Sequence, residues 1–241
     1  MKQPFTFREL RTPDEILQSL KLRYDVYSQC HMKTFLHPNP LEIDADCFDE
    51  HSRHYGLYQD QTLAGYIRVI MPKAEYQNPE FNSLKKEHIE MRQTDFPDYL
   101  SDAPYPYLSY SGLPVSYWQH YHRLQSCKYD VVEGGRLVLK PEFRDLRTSK
   151  FLIESVFTLY FLLHPAPGNA VVTCCQDHYR FYSYYGFQPI GEGDSYYTNG
   201  NTLISVTIPI STLSGVPTHL HDRFTKMADE YSSTGKIEFQ P

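Results

Sequence analysis

The chain has 241 residues, 41% of them hydrophobic, enough for one large domain or two small ones with a real core. Its formal charge of −6 argues against bulk nucleic-acid binding, and it has no run of about 18 apolar residues that would cross a bilayer. The opening MKQPFTFREL lacks an apolar signal region, and five cysteines without CxxC spacing leave one over, so a reduced cytoplasmic protein without a disulfide framework or zinc ribbon is expected.

In chain order, TPDEILQSLKLRYDVYSQC opens with a Thr12 cap, Pro13 in the first turn and Glu15 three residues after the cap. Apolar positions then recur at Ile16, Leu17, Leu20, Leu22 and Val26, which predicts a helix. HYGLYQDQTLAGYIRVIM reads as a hairpin about the polar turn Gln59 to Thr62. Residues 72–129 break periodicity with repeated Pro and Tyr and are expected to form an insertion. In it, Tyr107, Tyr110, Leu113 and Trp118 read either as ordinary aromatic packing or as a lid on a ligand tunnel.

RLVLK from Arg136 predicts a strand ended by Pro141, RDLRTSKFLIESVFTLYFLL a helix and NAVVTCCQ the next strand, together a βαβ unit. A short aromatic helix in DHYRFYSYYGF is stopped by Gly186, TLISVTIPI forms a last strand, and residues 217–241 form a helical tail with Leu220, Phe224 and Met227 on one face. The fold class is therefore mixed α/β, with a single domain over 1–241.

The chemistry-bearing residues have readings of their own. Glu133 is a candidate general base, just before the strand, where Gly134 and Gly135 permit an irregular backbone that aims a carboxylate. Arg136 would orient it or hold a substrate carboxylate, and Tyr182, together with a strand amide, would donate to a developing negative charge. Arg136, Lys140, Arg144, Arg147 and Lys150 concentrate positive charge in an acidic chain, with Arg144, Arg147 and Lys150 on one helical face. Such a face is either solvated surface or a dock for a phosphate and an acidic helix. His51 and His54 have metal-compatible spacing but no further convincing ligands, so no metal is expected, and Cys174 and Cys175 read as packing residues in a β-branched run.

The βαβ order and the ending Tyr182, Gly186, Phe187 resemble the GCN5-related N-acetyltransferase (GNAT) superfamily. That resemblance implies a mixed central sheet with helices on both faces and a βαβ core that binds an acyl thioester. The superfamily's glycine-bearing phosphate loop is replaced here by Arg144, Arg147 and Ser149. LRYDVYSQC, EIDADCFDEHSRHYGLY, LAGYIRVI and VEGGRLVL are similar to a narrower branch, the acyl-homoserine-lactone synthases and N-acyl amino acid synthases, including exosortase-associated acyltransferases. Residue by residue, the branch's patterns fall on Arg23 and Tyr27, Asp46 and Asp49, Arg68, and Glu133 with Arg136. Asp46 and Asp49, with Glu42 and Asp44 nearby, read as an acidic loop that caps the next element or holds a cation; their match with Arg23 and Arg68 implies instead a buried ion-pair network shaping the amine site, and the pattern of Ser52 and His54 implies a structural role.

The resemblance further implies an N-acyltransferase. Its donor would be an acyl carrier protein thioester or acyl-CoA, and its acceptor an amino acid or similar small amine, with no tightly bound cofactor. The pantetheine arm, itself a pair of amides, would run along Leu137, Val138 and Leu139, with Arg144, Arg147, Ser149 and Lys150 at its phosphate. Alternatives are an acetyl-CoA-dependent N-acetyltransferase, a homoserine-lactone synthase using S-adenosylmethionine, although the tryptophan of those synthases is missing from CHMKTFLHP, and a non-enzymatic binding module on the same scaffold.

Overall fold

A computed structural model describes residues 3–87, 103–110, 112–198 and 200–240. Part of the 72–129 segment therefore lies outside the described residues. The elements run β1 (Phe5–Glu9), α1 (Pro13–Ser28), β2 (Ser52–Gln59), β3 (Thr62–Ile70), α2 (Pro79–Glu87), α3 (Val115–Ser126) and β4 (Asp130–Leu139). They continue with α4 (Leu146–Thr158), β5 (Gly168–Cys175), α5 (Tyr179–Tyr184), β6 (Gln188–Pro189), β7 (Ser195–Thr198), β8 (Asn201–Ile210), α6 (His221–Thr234) and β9 (Lys236–Phe239). The architecture is mixed α/β.

The chain forms two compact units: residues 1–98, 136–155 and 230–241 make the first, and 99–135 with 156–229 the second. In the first, strands follow the order β9, β1, β2, β3 and the second half of β4. Thr12 caps α1 by accepting from the Glu15 amide at 3.2 Å, so the helix starts where the capping residues put it. Its Ile16, Leu20, Leu22 and Val26 form a core with Tyr58, Leu63 and Tyr66 of the hairpin and Val138 of β4. On the other face, Leu139 and Leu152 of α4 close over Gly65, the residue next to Tyr66. Consecutive strand residues point to opposite faces, so in this unit helices cover both.

In the second unit the first half of β4 pairs in parallel with β5, from Asp130↔Gly168 to Gly134↔Val172, as the βαβ reading expects. β5 pairs antiparallel with β8, which also carries β6 and β7. Phe157, Phe161, Tyr185, Phe187 and Phe224 build an aromatic core, with the Phe157 and Phe187 rings 4.9 Å apart.

Four local expectations change. β4 begins at Asp130, so Glu133 lies within the strand. The left-handed residue of that strand is Arg136 (φ 57°), where a non-glycine residue stores roughly 1–3 kcal/mol of strain. The tail adds β9, which pairs with β1 from Phe5↔Phe239 to Arg8↔Lys236, so TLISVTIPI is not the last strand. The long helix becomes a π-helical turn over Leu159–Leu163.

Candidate active site

The first unit holds a buried charge array. Asp46 caps the 3-10 turn Cys47–His51: its Oδ1 accepts from the Phe48 amide at 3.0 Å, while its own amide donates to Asp49 Oδ2 at 2.9 Å. This reciprocal cap fixes two carboxylates side by side. α1 supplies Arg23 and, one turn on, Tyr27; β3 supplies Arg68. Arg23 Nη1 and Arg68 Nη1 both donate to Asp49 Oδ1, at 2.8 and 2.7 Å. Arg68 also forks onto Asp46 through Nη1 at 2.6 Å and Nη2 at 3.0 Å. Arg136 Nη2 reaches Asp46 Oδ2 at 3.2 Å. Asp44 Oδ2 joins Arg23 Nε at 2.9 Å and Arg136 Nε at 3.2 Å.

Three aspartates thus answer three arginines, and all but Arg136, whose side chain is 11% exposed, are closed off from solvent. Removing such charges from water costs several kcal/mol per ion unless each is paired. Burial works against ionisation of Asp49, yet Arg23 and Arg68 outweigh it and hold the carboxyl far below its ordinary range. Burial opposes ionisation of Asp46 too, and Arg68 is the main charge that overcomes it and lowers the carboxyl. His54, opposite Arg68 in the hairpin, is pushed down to about 4 by burial, and its Nδ1 lies 2.6 Å from the Tyr66 hydroxyl. It is therefore a neutral wedge beneath the array, while Ser52 Oγ donates to the Phe48 carbonyl at 2.6 Å. Arg136 also lies 5.7 Å from the centre of the Tyr27 ring.

The second unit holds Glu133, buried in β4. The turn Pro106–Leu108 lies against this strand: the Tyr105 hydroxyl donates to the Val131 carbonyl, and the Tyr107 amide donates to Glu133 Oε2 at 3.0 Å. Burial is the main force pushing the phenols of Tyr107, Tyr160 and Tyr196 well up, and the Glu133 charge adds to it in all three, so they stay protonated. Tyr182, on α5, packs among Phe157, Phe181 and Phe187 at 6.4, 5.6 and 5.8 Å between ring centres. Tyr110 meets Tyr196 at 5.5 Å, Leu113 is half-buried, and Trp118 stacks on His122 and meets Tyr121 edge-to-face on its own helix.

The predicted residues therefore fall into two groups. Arg23, Tyr27, Asp46, Asp49, Arg68 and Arg136 converge in the first unit, while Glu133 and Tyr182 belong to the second. Sequence reasoning left Asp44 outside the network, although its spacing in IDADCFD was the available signal. It also missed the Tyr107 amide, which no side-chain pattern announces.

Residues 22–99 match the family model for the acetyltransferase (GNAT) domain. The structure is similar to FeeM, an N-acyl amino acid synthase from uncultured soil microbes, at 13% identity over 90% of this chain and 97% of that one, with a TM-score of 0.51. The fold is a GNAT fold. BjaI, a CoA-dependent acyl-homoserine lactone synthase, matches at 13% identity over 92% of this chain and 90% of its own, TM-score 0.53. MesI, another such synthase, matches at 14% over 92% and 95%, TM-score 0.50. No curated protein matches the chain.

Within this GNAT fold, the turn after β4 departs from the helical face expected of its cations. Asp145 caps α4, its Oδ1 accepting from the Arg147 and Thr148 amides at 2.9 Å each, so Arg144 precedes the helix. Arg144 folds back instead, Nε to the Leu139 carbonyl at 2.9 Å. Arg147 is exposed beside Leu146, itself 78% exposed; Ser149 donates its amide to the Asp145 carbonyl, and Lys150 pairs with Glu154 at 3.6 Å. Of the strand residues, Leu137 is half-buried, and Val138 and Leu139 point into the two sides of the core. Cys174 is buried and its thiol pushed up to about 12 by that burial, which disfavours a thiolate nucleophile. No helix among the described residues is long and apolar enough to cross a membrane.

Proposed function

We propose that the chain is an N-acyltransferase that moves an acyl group from a phosphopantetheine thioester to the amine of an amino acid or a similar small amine. One observation carries this reading: a buried carboxylate, Glu133, stands one rung before the end of the β4–β5 ladder of a GNAT fold, held by a main-chain N–H from Tyr107. Glu133 takes a proton from the acceptor's ammonium group. The freed amine attacks the thioester carbonyl carbon, the tetrahedral oxyanion collapses, and the carbon–sulfur bond breaks. The second proton of the nitrogen passes to the departing thiolate, with Tyr182 as donor to sulfur. Within the first unit, Arg136, 11% exposed, is the candidate to hold a substrate carboxylate, and Asp44 and Asp46 fix its guanidinium.

The acyl carrier protein is the preferred donor. Arg147 and Leu146 stand exposed at the start of α4, a pairing of cation and apolar side chain suited to the phosphoserine and acidic helix of such a carrier. The exposed turn has no glycine for the close backbone approach that a CoA pyrophosphate requires. FeeM, an N-acyl amino acid synthase, supports the acceptor class, and BjaI, a CoA-dependent synthase, keeps acyl-CoA in the comparison.

The test is mass spectrometry of purified protein with acyl carrier protein or acyl-CoA thioesters of several chain lengths against pooled amino acids and S-adenosylmethionine. An N-acyl amino acid formed from the carrier-bound donor is the expected result. Product from acetyl-CoA alone would move the protein to the acetyltransferases, and no product from any pair would sink the enzyme reading.

A further inference from the structure

Tyr160 is a fully enclosed side chain whose hydroxyl has no hydrogen-bond partner among the described residues. It lies in the π-helical turn Leu159–Leu163, a type of helix irregularity frequent at functional sites, and Ser211 N anchors its carbonyl at 3.1 Å. A Cβ on Gly134 would stand 2.6 Å from the Tyr160 oxygen, with Val172 Cγ2 next at 3.5 Å. Gly134↔Val172 is the last rung of the β4–β5 ladder, and Glu133 is the preceding residue. The missing side chain at Gly134 is therefore what lets a phenol oxygen rest against the strand at the point where the ladder ends.

Packing alone does not call for that oxygen. Phe157 and Phe161, one turn before and one residue after Tyr160, fill the same aromatic core without a hydroxyl. An unanswered buried hydroxyl costs about 1–3 kcal/mol, a cost that a bound acceptor oxygen would offset. We propose that the Tyr160 hydroxyl is a catalytic donor to the carbonyl oxygen of the acyl thioester, and that Gly134 is kept bare to admit it. This inference rests on the acyl-transfer reading. Tyr160 keeps its own proton throughout: it donates a hydrogen bond that strengthens as the carbonyl oxygen gains charge, while the proton transfers belong to Glu133 and the leaving sulfur.

Three variants test it: Tyr160→Phe, Gly134→Ala and the pair together. In an active wild type, Tyr160→Phe is expected to lower kcat roughly 10²-fold with KM nearly unchanged, because the lost bond strengthens in the transition state. Its thermal midpoint should hold or rise, since a costly buried hydroxyl is gone. Gly134→Ala should destabilise the wild type yet be tolerated in the double variant, where Tyr160→Phe shortens the ring edge facing the strand, a readout independent of activity. Tyr160→Phe with full kcat would overturn the donor role and leave the acyl-transfer reading standing. Gly134→Ala equally harmful in both backgrounds would overturn the placement of the hydroxyl, and a wild type inert with every donor and amine would overturn both readings together.

Discussion

The charge array and the Glu133 surroundings are both buried and both polar, but the hydrogen-bonding groups they leave open differ in kind. Asp46 and Asp49 have both carboxylate oxygens engaged, by backbone amides of their own turn or by arginines. Near Glu133, by contrast, the hydroxyls of Tyr107 and Tyr160 have no partner among the described residues. In the array the open positions, Arg23 Nη2 and Arg68 Nε, belong to guanidiniums already ion-paired through other atoms, whereas each open phenol would gain its first hydrogen-bond partner from a ligand. The difference suits the first region to holding geometry and the second, on the proposed reading, to chemistry.

The largest expected effect breaks the second region alone. Glu133→Gln keeps the shape and removes the base, and should reduce product formation by roughly 10²–10⁴-fold while the urea midpoint stays close to wild type. A matching loss of stability would make Glu133 a structural acid. The mirror experiment is Asp49→Asn, which leaves Arg23 and Arg68 partly unanswered and should cost about 3–5 kcal/mol in urea unfolding. A cost near zero would mean the array is not what holds this unit.

Acid unfolding sharpens the comparison further. His54 sits at about 4 in the folded chain, below the ~6.5 of an unfolded histidine, so the unfolded state binds more protons between these values. Its contribution is whole above about pH 6.5 and drains as the pH falls toward 4, by up to roughly 3 kcal/mol. Asp46 and Asp49, both depressed, contribute fully above about pH 4 and lose their contribution only below it. Stability against pH should therefore fall in two stages, and because burial also pushes His120 down to about 4, His54→Gln should shrink the upper one without erasing it. A profile unchanged by that substitution would show that another group titrates there. The smallest effect belongs to docking: Arg147→Glu should raise the apparent KM for an acyl carrier protein by about tenfold, a change of ~1.4 kcal/mol, while leaving acyl-CoA turnover as it was. Equal changes with both donors would remove the carrier preference.

Much of the first region was legible in the sequence because its signals are side chains at fixed spacing. Thr12 with Glu15 marks the start of α1, Arg23 and Tyr27 are one helical turn apart, and Asp46 and Asp49 are the two ends of a reciprocal cap. The hairpin and the βαβ order followed from periodicity. What stayed hidden depends on main chain or on distance. The Tyr107 amide that holds Glu133 has no side-chain identity to read. Asp145 displaced Arg144 from the helix because a capping carboxylate satisfies two orphan amides, which a count of charges by helical phase ignores. The strand KIEF is only four residues long and comes directly after a helix, too short for alternation to stand out.

That last strand has a kinetic consequence. Pairing Phe5 with Phe239 closes a loop spanning nearly the whole numbering, yet loop entropy grows only by about 0.6 kcal/mol per doubling, so the distance costs little equilibrium stability. It costs time instead, because contacts of large sequence separation form slowly. β1 is already paired along its other edge with β2, a neighbour much closer in the chain, so β9 is free to arrive late. Until it does, the outer edge of β1 presents unpaired amides and carbonyls, and in that interval it is open to pairing with a second chain.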